Sequence, residues 1–216
     1  MPLTERWQSF LDAFLMEEDA FLGSLRRECE DRGIPIIRRE TEYFLKWLFS
    51  VRTPVRVLEI GTAVGYSAIC MAGMLPEDGR LLTIEIRPEH AEEAQRNFER
   101  AGLSGRIRSL CGDAGLLAAG LTDPPFDFIF LDGPKAQYAG LIPDLLPKLV
   151  DGGILMADNI LQGRDTLESR FAVRRRDRTI HKRMREFLFA ITHHEDLTTD
   201  ILPIGDGVSV SVKKRK

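Results

Sequence analysis

Between residues 55 and 157 the chain alternates short apolar runs with segments of helical periodicity, and this rhythm constrains the fold more than any other feature. Apolar runs at 55–60, 81–86, 107–110, 126–131 and 153–157 are separated by helical stretches at 66–74, 88–101, 113–120 and 138–149. Strand-helix units of this size imply right-handed crossovers and a mostly parallel sheet. The runs are continuous rather than alternating, as in a sheet covered by helices on both faces. Past Asn159 the pattern changes: an arginine-rich segment leads into a helix over 177–194, then strand-like runs at 197–204 and 208–212. Gly205-Asp206-Gly207 between those runs is a turn signal, so the sheet is expected to end in an antiparallel C-terminal pair.

Helical spacing dominates the first fifty residues, with Phe10, Phe14, Phe21, Leu22 and Leu25 on one face and Tyr43, Phe44, Trp47 and Leu48 on another. The segment 31–35 separates the two helices. A length of 216 residues without an internal repeat or low-complexity linker predicts one domain, 1–216, with the helices of 1–50 packing on the core or on a partner subunit. No apolar run reaches the 18 or so residues of a membrane span, and Met1–Arg6 lacks the basic-then-apolar start of a signal peptide, which predicts a cytoplasmic protein. Cys29, Cys70 and Cys111 have neither the pairing nor the spacing of a zinc site and are expected to be buried thiols. A net charge of -3 conceals an asymmetry: residues 164–185 hold nine Arg or Lys against three acidic residues, and the chain ends Lys213-Lys214-Arg215-Lys216.

The chemistry-bearing residues fall at the ends of the apolar runs, the rim where open α/β sheets bind ligands. Glu59-Ile60-Gly61-Thr62-Ala63-Val64-Gly65-Tyr66-Ser67 follows the first strand and opens a helix, a loop whose glycines and free amides suit a polar nucleoside cofactor. It is not the G-x-G-x-x-G dinucleotide fingerprint, which sets an NAD-linked oxidoreductase well behind. Glu85 ends the second strand and can accept from a ribose diol, and Asp113 with Ala114 follows the third, where an adenine ring can be read. Asp132 and Asp158 end two further strands, with Asn159 adjacent and Lys135 three residues beyond Asp132. Two carboxylates and an amide form a hard oxygen set suited to Mg²⁺, Mn²⁺ or Ca²⁺. Burial beside a metal would lower the pKa of Lys135 and make it a base. The alternatives are turn or helix-capping roles for the same acids.

These segments resemble the cation-dependent, S-adenosylmethionine-dependent O-methyltransferases of the catechol and caffeoyl-CoA type, over nearly the whole chain. The resemblance implies a Rossmann-like α/β methyltransferase fold. It implies that Asp132, Asp158 and Asn159 ligate a divalent cation, that Lys135 assists deprotonation, and that Asp132 also touches the cofactor. Ile37, Glu59, Gly61, Gly65, Ser67, Glu85, Asp113 and Ala114 would surround S-adenosylmethionine. Gly133-Pro134 departs from the family pattern and bears on where Lys135 sits. Family resemblance also implies a homodimer.

Within the family the resemblance is to bacterial tRNA 5-hydroxyuridine methyltransferases, carried by Pro35-Ile36, Arg174-Arg175-Arg176 and the ending from Ile204 to Arg215. It implies methylation of 5-hydroxyuridine at the wobble position of the tRNA anticodon, giving 5-methoxyuridine, with the C5 hydroxyl and C4 carbonyl chelating one cation. Arg174, Arg175, Arg176, Arg178, Lys182 and Arg185 would then contact RNA phosphates. Two rivals stand beside this reading: an O-methyltransferase for catechols or hydroxycinnamoyl-type small molecules, which needs no basic patch, and a non-catalytic RNA-binding protein on the same fold.

Overall fold

The computed structural model describes Phe10, Ala13, Phe14 and residues 19–216. The Met1–Arg6 start, and part of the helix face expected through Phe10 and Phe14, lie outside the described residues. The chain divides into two compact units, residues 1–35 and 36–216. In the first, helix α1 (Ala20–Asp31) begins at Asp19, whose carboxylate accepts from the amides of Phe21 and Leu22 at 3.0 and 3.1 Å. Such an N-cap satisfies donors the helix itself cannot. The helix stops at the expected break, where Gly33 takes φ +65° and the Ile34 amide returns to the Cys29 carbonyl.

The second unit is a seven-stranded sheet in the order β3-β2-β1-β4-β5-β7-β6. Its strands are β1 (Arg56–Ile60), β2 (Arg80–Glu85), β3 (Ile107–Cys111), β4 (Phe126–Leu131), β5 (Leu149–Ala157), β6 (Leu197–Leu202) and β7 (Val208–Lys213). β1 to β5 pair in parallel, whereas β7 runs antiparallel to both β5 and β6, as the C-terminal turn signal predicts. Because β2 lies on one side of β1 and β4 on the other, the winding reverses between β1 and β4. The crevice of a doubly wound sheet opens at such a switch point.

The helices are α2 (Arg39–Val51), α3 (Tyr66–Met74), α4 (Pro88–Arg100), α5 (Ala114–Gly120), α6 (Tyr138–Leu145) and α7 (Arg178–Thr192). Side chains alternate across each strand, so the sheet presents two faces. Leu58, Ile60, Ile129 and Leu131 share one cluster with Ala118 of α5, Leu141 of α6 and Phe187 of α7. On the other face Phe49 of α2 meets Phe128 edge-on at 5.0 Å between ring centres. Each such fully buried apolar side chain contributes roughly 1.5–3 kcal/mol, enough for the strand faces to dictate where the helices dock. Helices on both faces follow, and the fold is a doubly wound, Rossmann-like α/β fold with a mostly parallel sheet and an antiparallel C-terminal end.

Three local features differ from the sequence reading. β5 begins at Leu149 rather than 153, because the Gly152-Gly153 pair is absorbed in an irregular register against β4, with Gly152 at φ +73°. The sixth helical stretch ends at Leu145 and continues as a 3₁₀ turn, Leu146–Lys148. Cys111, expected to be buried like Cys29 and Cys70, is exposed, since it ends the edge strand β3. No helix among the described residues is long and apolar enough to cross a membrane.

Candidate active site

The loop after β1 is held by contacts that only glycine permits. Gly61 has φ +102°, and a Cβ there would lie 2.5 Å from the Asp132 carbonyl oxygen and 2.7 Å from the Gly133 Cα. The loops after β1 and β4 therefore touch backbone to backbone at the switch point. Gly65 is explained differently: it caps α3 in the left-handed region, and a Cβ would strike the Phe98 ring at 2.5 Å. No side chain caps α3, so its first amides face the rim with the positive end of the helix dipole.

Glu59 is fully buried on the face covered by α3. It accepts from the Ser67 hydroxyl at 2.5 Å and from the Thr83 hydroxyl at 2.6 Å. With its proton committed to Glu59, Thr83 accepts from Thr62 at 2.5 Å, and the three hydroxyls form one oriented network. Burial pushes the Glu59 carboxyl up to about 7, against the downward pull of Ser67 and Thr83. The network fixes the β1 loop from below. Glu59 and Ser67, expected at the cofactor, thus spend their polar atoms on each other.

Glu85 accepts from the Ala63 amide at 2.8 Å and the Arg87 amide at 2.9 Å, one on each carboxylate oxygen, leaving further lone pairs on both. Asp113 caps α5 through the Leu116 amide at 3.2 Å, and its second oxygen accepts from the Gln137 side chain at 3.0 Å. Asp113 thus has a helix-capping role, one weighed in the sequence only for Asp132 and Asp158, alongside any ligand role. Ala114 opens α5, and Ile37 is buried just ahead of α2.

Between β4 and β5 the Lys135 ammonium meets three acceptors: an Asp132 carboxylate oxygen at 2.9 Å, the Tyr138 hydroxyl oxygen at 3.0 Å and the Asp158 carbonyl at 3.0 Å. Burial lowers its pKa, but Tyr138 and Asp132 outweigh that, and the net direction is upward. The direction is opposite to the lowering expected beside a metal, and Lys135 is held here as an ammonium donor to three acceptors. Burial also raises Tyr138, which stays a neutral phenol. Burial, then the nearby Asp132 charge, pushes Asp158 up to about 7, while the Asn159 amide, Lys135 and Thr41 oppose the shift. Asn159 follows at φ 57°, a left-handed conformation that asparagine tolerates.

The residues that shape this corner come from distant segments. Thr41 of α2 donates to Asp158 Oδ1 at 3.3 Å across 117 residues of sequence. Asp206, in the β6–β7 turn, pairs with Arg38 at 2.6 Å, while the carbonyls of Gly207 and Asp206 accept from the amides of Ile160 and Leu161. Sequence reasoning missed Thr41, Arg38 and Gln137, for which no local pattern exists. Tyr138 carried a signal, its three-residue spacing from Lys135.

One expectation is corrected here. A divalent cation on Asp132, Asp158 and Asn159 finds no support: among the described residues no group of three His, Cys, Asp or Glu side chains could hold a metal ion. The rim offers two carboxylates, and the Lys135 ammonium already lies against one of them. In the basic segment, some of the expected phosphate contacts also have partners within the protein. Arg178 donates to the Val173 and Phe171 carbonyls and Arg185 to the Thr166 carbonyl, so both tie down the segment after β5. Lys182 lies 3.6 Å from Glu186, and Arg176 lies 3.4 Å from Asp177. Arg174 and Arg175 are exposed.

A doubly wound sheet with a glycine-bent β1 loop at its switch point is the setting in which open α/β sheets bind nucleoside cofactors, and a lysine-carboxylate centre stands beside it. The O-methyltransferase family model matches residues 14–214, and the chain belongs to that family. It is 35% identical over 157 residues to a catechol O-methyltransferase of Niastella koreensis, covering 70% of this chain and 71% of that protein. The catechol O-methyltransferase of Mycobacterium tuberculosis is 32% identical, covering 72% and 71%. The crystal structure of TomG, an O-methyltransferase from Streptomyces achromogenes involved in tomaymycin synthesis, in complex with S-adenosylmethionine, superposes with a TM-score of 0.86 at 25% identity and full coverage of both chains. S-adenosylmethionine is the cofactor that this membership carries. None of these matches is named for RNA, which overturns the expected tRNA substrate, the tRNA-processing role and the anticodon partner. The small-molecule alternative is the better supported one.

Proposed function

We propose that the protein transfers a methyl group from S-adenosylmethionine to a hydroxyl of a catechol-type small aromatic molecule. The catechol O-methyltransferase relatives support the acceptor class. The observation that carries the chemistry is the Lys135 ammonium held by Asp132, Tyr138 and the Asp158 carbonyl on the rim.

When bound, S-adenosylmethionine supplies an electrophilic methyl group on a sulfonium sulfur. The first amides of α3 would receive its polar groups where Gly61 leaves room for close approach, Glu85 would accept from the ribose, Asp113 and Ala114 would face the adenine, and Ile37 would form an apolar wall. The acceptor hydroxyl sits against Lys135, whose positive charge lowers the hydroxyl pKa and stabilises the aryl oxide. Asp132, Asp158 and Asn159 are polar walls around that oxygen, and the proton leaves to a rim carboxylate. The oxygen forms the new C–O bond as the C–S bond breaks, and alignment supplies much of the rate.

The test uses labelled cofactor with catechol, with phenol and without acceptor, each with and without a chelator so that any cation contribution is read directly. Label is expected in catechol, and Lys135→Met is expected to lower kcat by about 10²-fold or more while cofactor affinity changes little. An unlabelled catechol despite measured cofactor binding, or a Lys135→Met variant with wild-type kcat, would reject the proposal.

A further inference from the structure

At the end of the sheet opposite the rim lies a cavity of about 740 Å³, lined by the starts of β1, β2 and β3. Clefts of roughly 300–1,000 Å³ are the usual size for small-molecule sites. Its outstanding feature is a row of arginines. Arg56 and Arg80 are register partners on β1 and β2, and Arg106 immediately precedes Ile107, the partner of Leu81. Adjacent strands lie about 4.8 Å apart, so the three guanidinium stems start from neighbouring positions on one edge. Arg108 adds a fourth guanidinium to the lining two residues further along β3.

Like charges so placed repel, and surface arginines normally sit near carboxylates. Here the row is held by neutral carbonyls. Arg56 donates to Pro125, Arg80 to Glu77 and Gly79, and Arg106 to Leu75 and Pro76. Among the described residues none of these three forms an ion pair; Arg108 alone does, with Asp123 at 2.5 Å. The lining carries four arginines against Asp78 and Asp123, a net charge of +2. In addition, Arg106 Nε is buried without a hydrogen-bond partner, a state that costs free energy unless a ligand or water supplies an acceptor.

We infer that this cavity is a second ligand site, separate from the methyl-transfer centre, that binds a small multiply charged phosphate-bearing anion. Carbonyl partners fix Arg56, Arg80 and Arg106 without neutralising them, which leaves their charge for an oxyanion. Arginine forks recognise phosphate oxygens through paired N–H donors, and two linked phosphoryl groups match a row of cations better than a single charge does. The cavity walls set the partner as a small molecule rather than a polymer.

The test is calorimetric titration of the full-length protein with pyrophosphate at low ionic strength, with S-adenosylhomocysteine saturating the cofactor site so that binding there is not read. One pyrophosphate per chain is expected. Arg80→Gln should weaken it by about tenfold, as loss of a charge-assisted pair does, with an unchanged Tm. Asp78→Asn should strengthen it, an effect of opposite sign that no unfolding artefact reproduces. No pyrophosphate binding, or an affinity that neither Arg80→Gln nor Asp78→Asn alters, overturns the inference.

Discussion

Glu59 shows how one buried group can set a pH dependence for the whole unit. Its carboxyl stands near 7 in the folded chain against 4.5 for the ordinary group, chiefly because burial disfavours the charge. Between those values the folded state holds a proton that the unfolded state has lost. Stability therefore falls as pH rises from about 4.5 to about 7 and is level above, by an amount on the order of 3 kcal/mol for this group. Glu59→Gln keeps the shape, and the Ser67 and Thr83 hydroxyls can rotate to suit an amide. Denaturant unfolding across that pH window is expected to show a shallower slope in the variant; parallel slopes would sink the account. Thr41 acts at the same scale as a positioning residue for Asp158, which it reaches by a single hydrogen bond. Thr41→Val should lower kcat about tenfold with little change in Tm or in KM for the cofactor, and Thr41→Ser should restore it, because only the hydroxyl matters to that bond. Equal turnover in Val and Ser variants would reduce Thr41 to a packing residue.

At the scale of elements, the loops after β1 and β4 clasp each other, and Gly61 is the point of closest approach. A methyl group there meets backbone, which cannot swing aside, at a φ that an L side chain rarely adopts. Gly61→Ala is expected to cost about 3 kcal/mol or more and to abolish methyl transfer. Gly133→Ala, whose Cβ would meet Ile60 only at 3.2 Å and which has no positive φ, should cost less than half of that. Denaturation midpoints of the two variants test the ranking. Most elements were legible because their signals are local. The helix at Tyr66–Met74 begins after a glycine and ends where its apolar run ends, and the strand ends at Glu85, Leu131 and Ala157 coincide with the acidic or glycine positions that follow apolar runs. The rim residues were legible for the same reason, since each is fixed by the strand it terminates. What escaped was pairwise and distant. Thr41 on Asp158 and Asp206 on Arg38 depend on which segments the fold brings together, and so does the hydrogen bond from Lys135 to the Asp158 carbonyl. The basic run misled about the substrate because charge density along a sequence names no partner, and Arg178 and Arg185 also donate to carbonyls of the segment after β5.

For the larger unit as a whole, β7 is the unexpected keystone. It is nearly the last segment of the chain, yet it lies between β5 and β6, paired from Val208 to Lys213 on one side and from Ser209 to Val212 on the other. The turn that leads into it holds Ile160 and Leu161, directly after Asp158 and Asn159, so the last strand reaches the reacting corner. C-terminal residues usually fray, and their amides exchange through cheap local openings. A strand paired on both sides has no such route: releasing it breaks two ladders and uncovers β5. The amides of Ser209–Val212 are therefore expected to exchange as slowly as those of Ile129–Leu131 in β4, through global unfolding, whereas Thr198 and Ile201 of the edge strand β6 exchange faster. Native-state hydrogen exchange at increasing denaturant separates the cases. Should the β7 amides open at a denaturant-independent rate far above those of β4, the strand would be a loosely held appendage and the corner around Asp158 would have to be ordered from elsewhere.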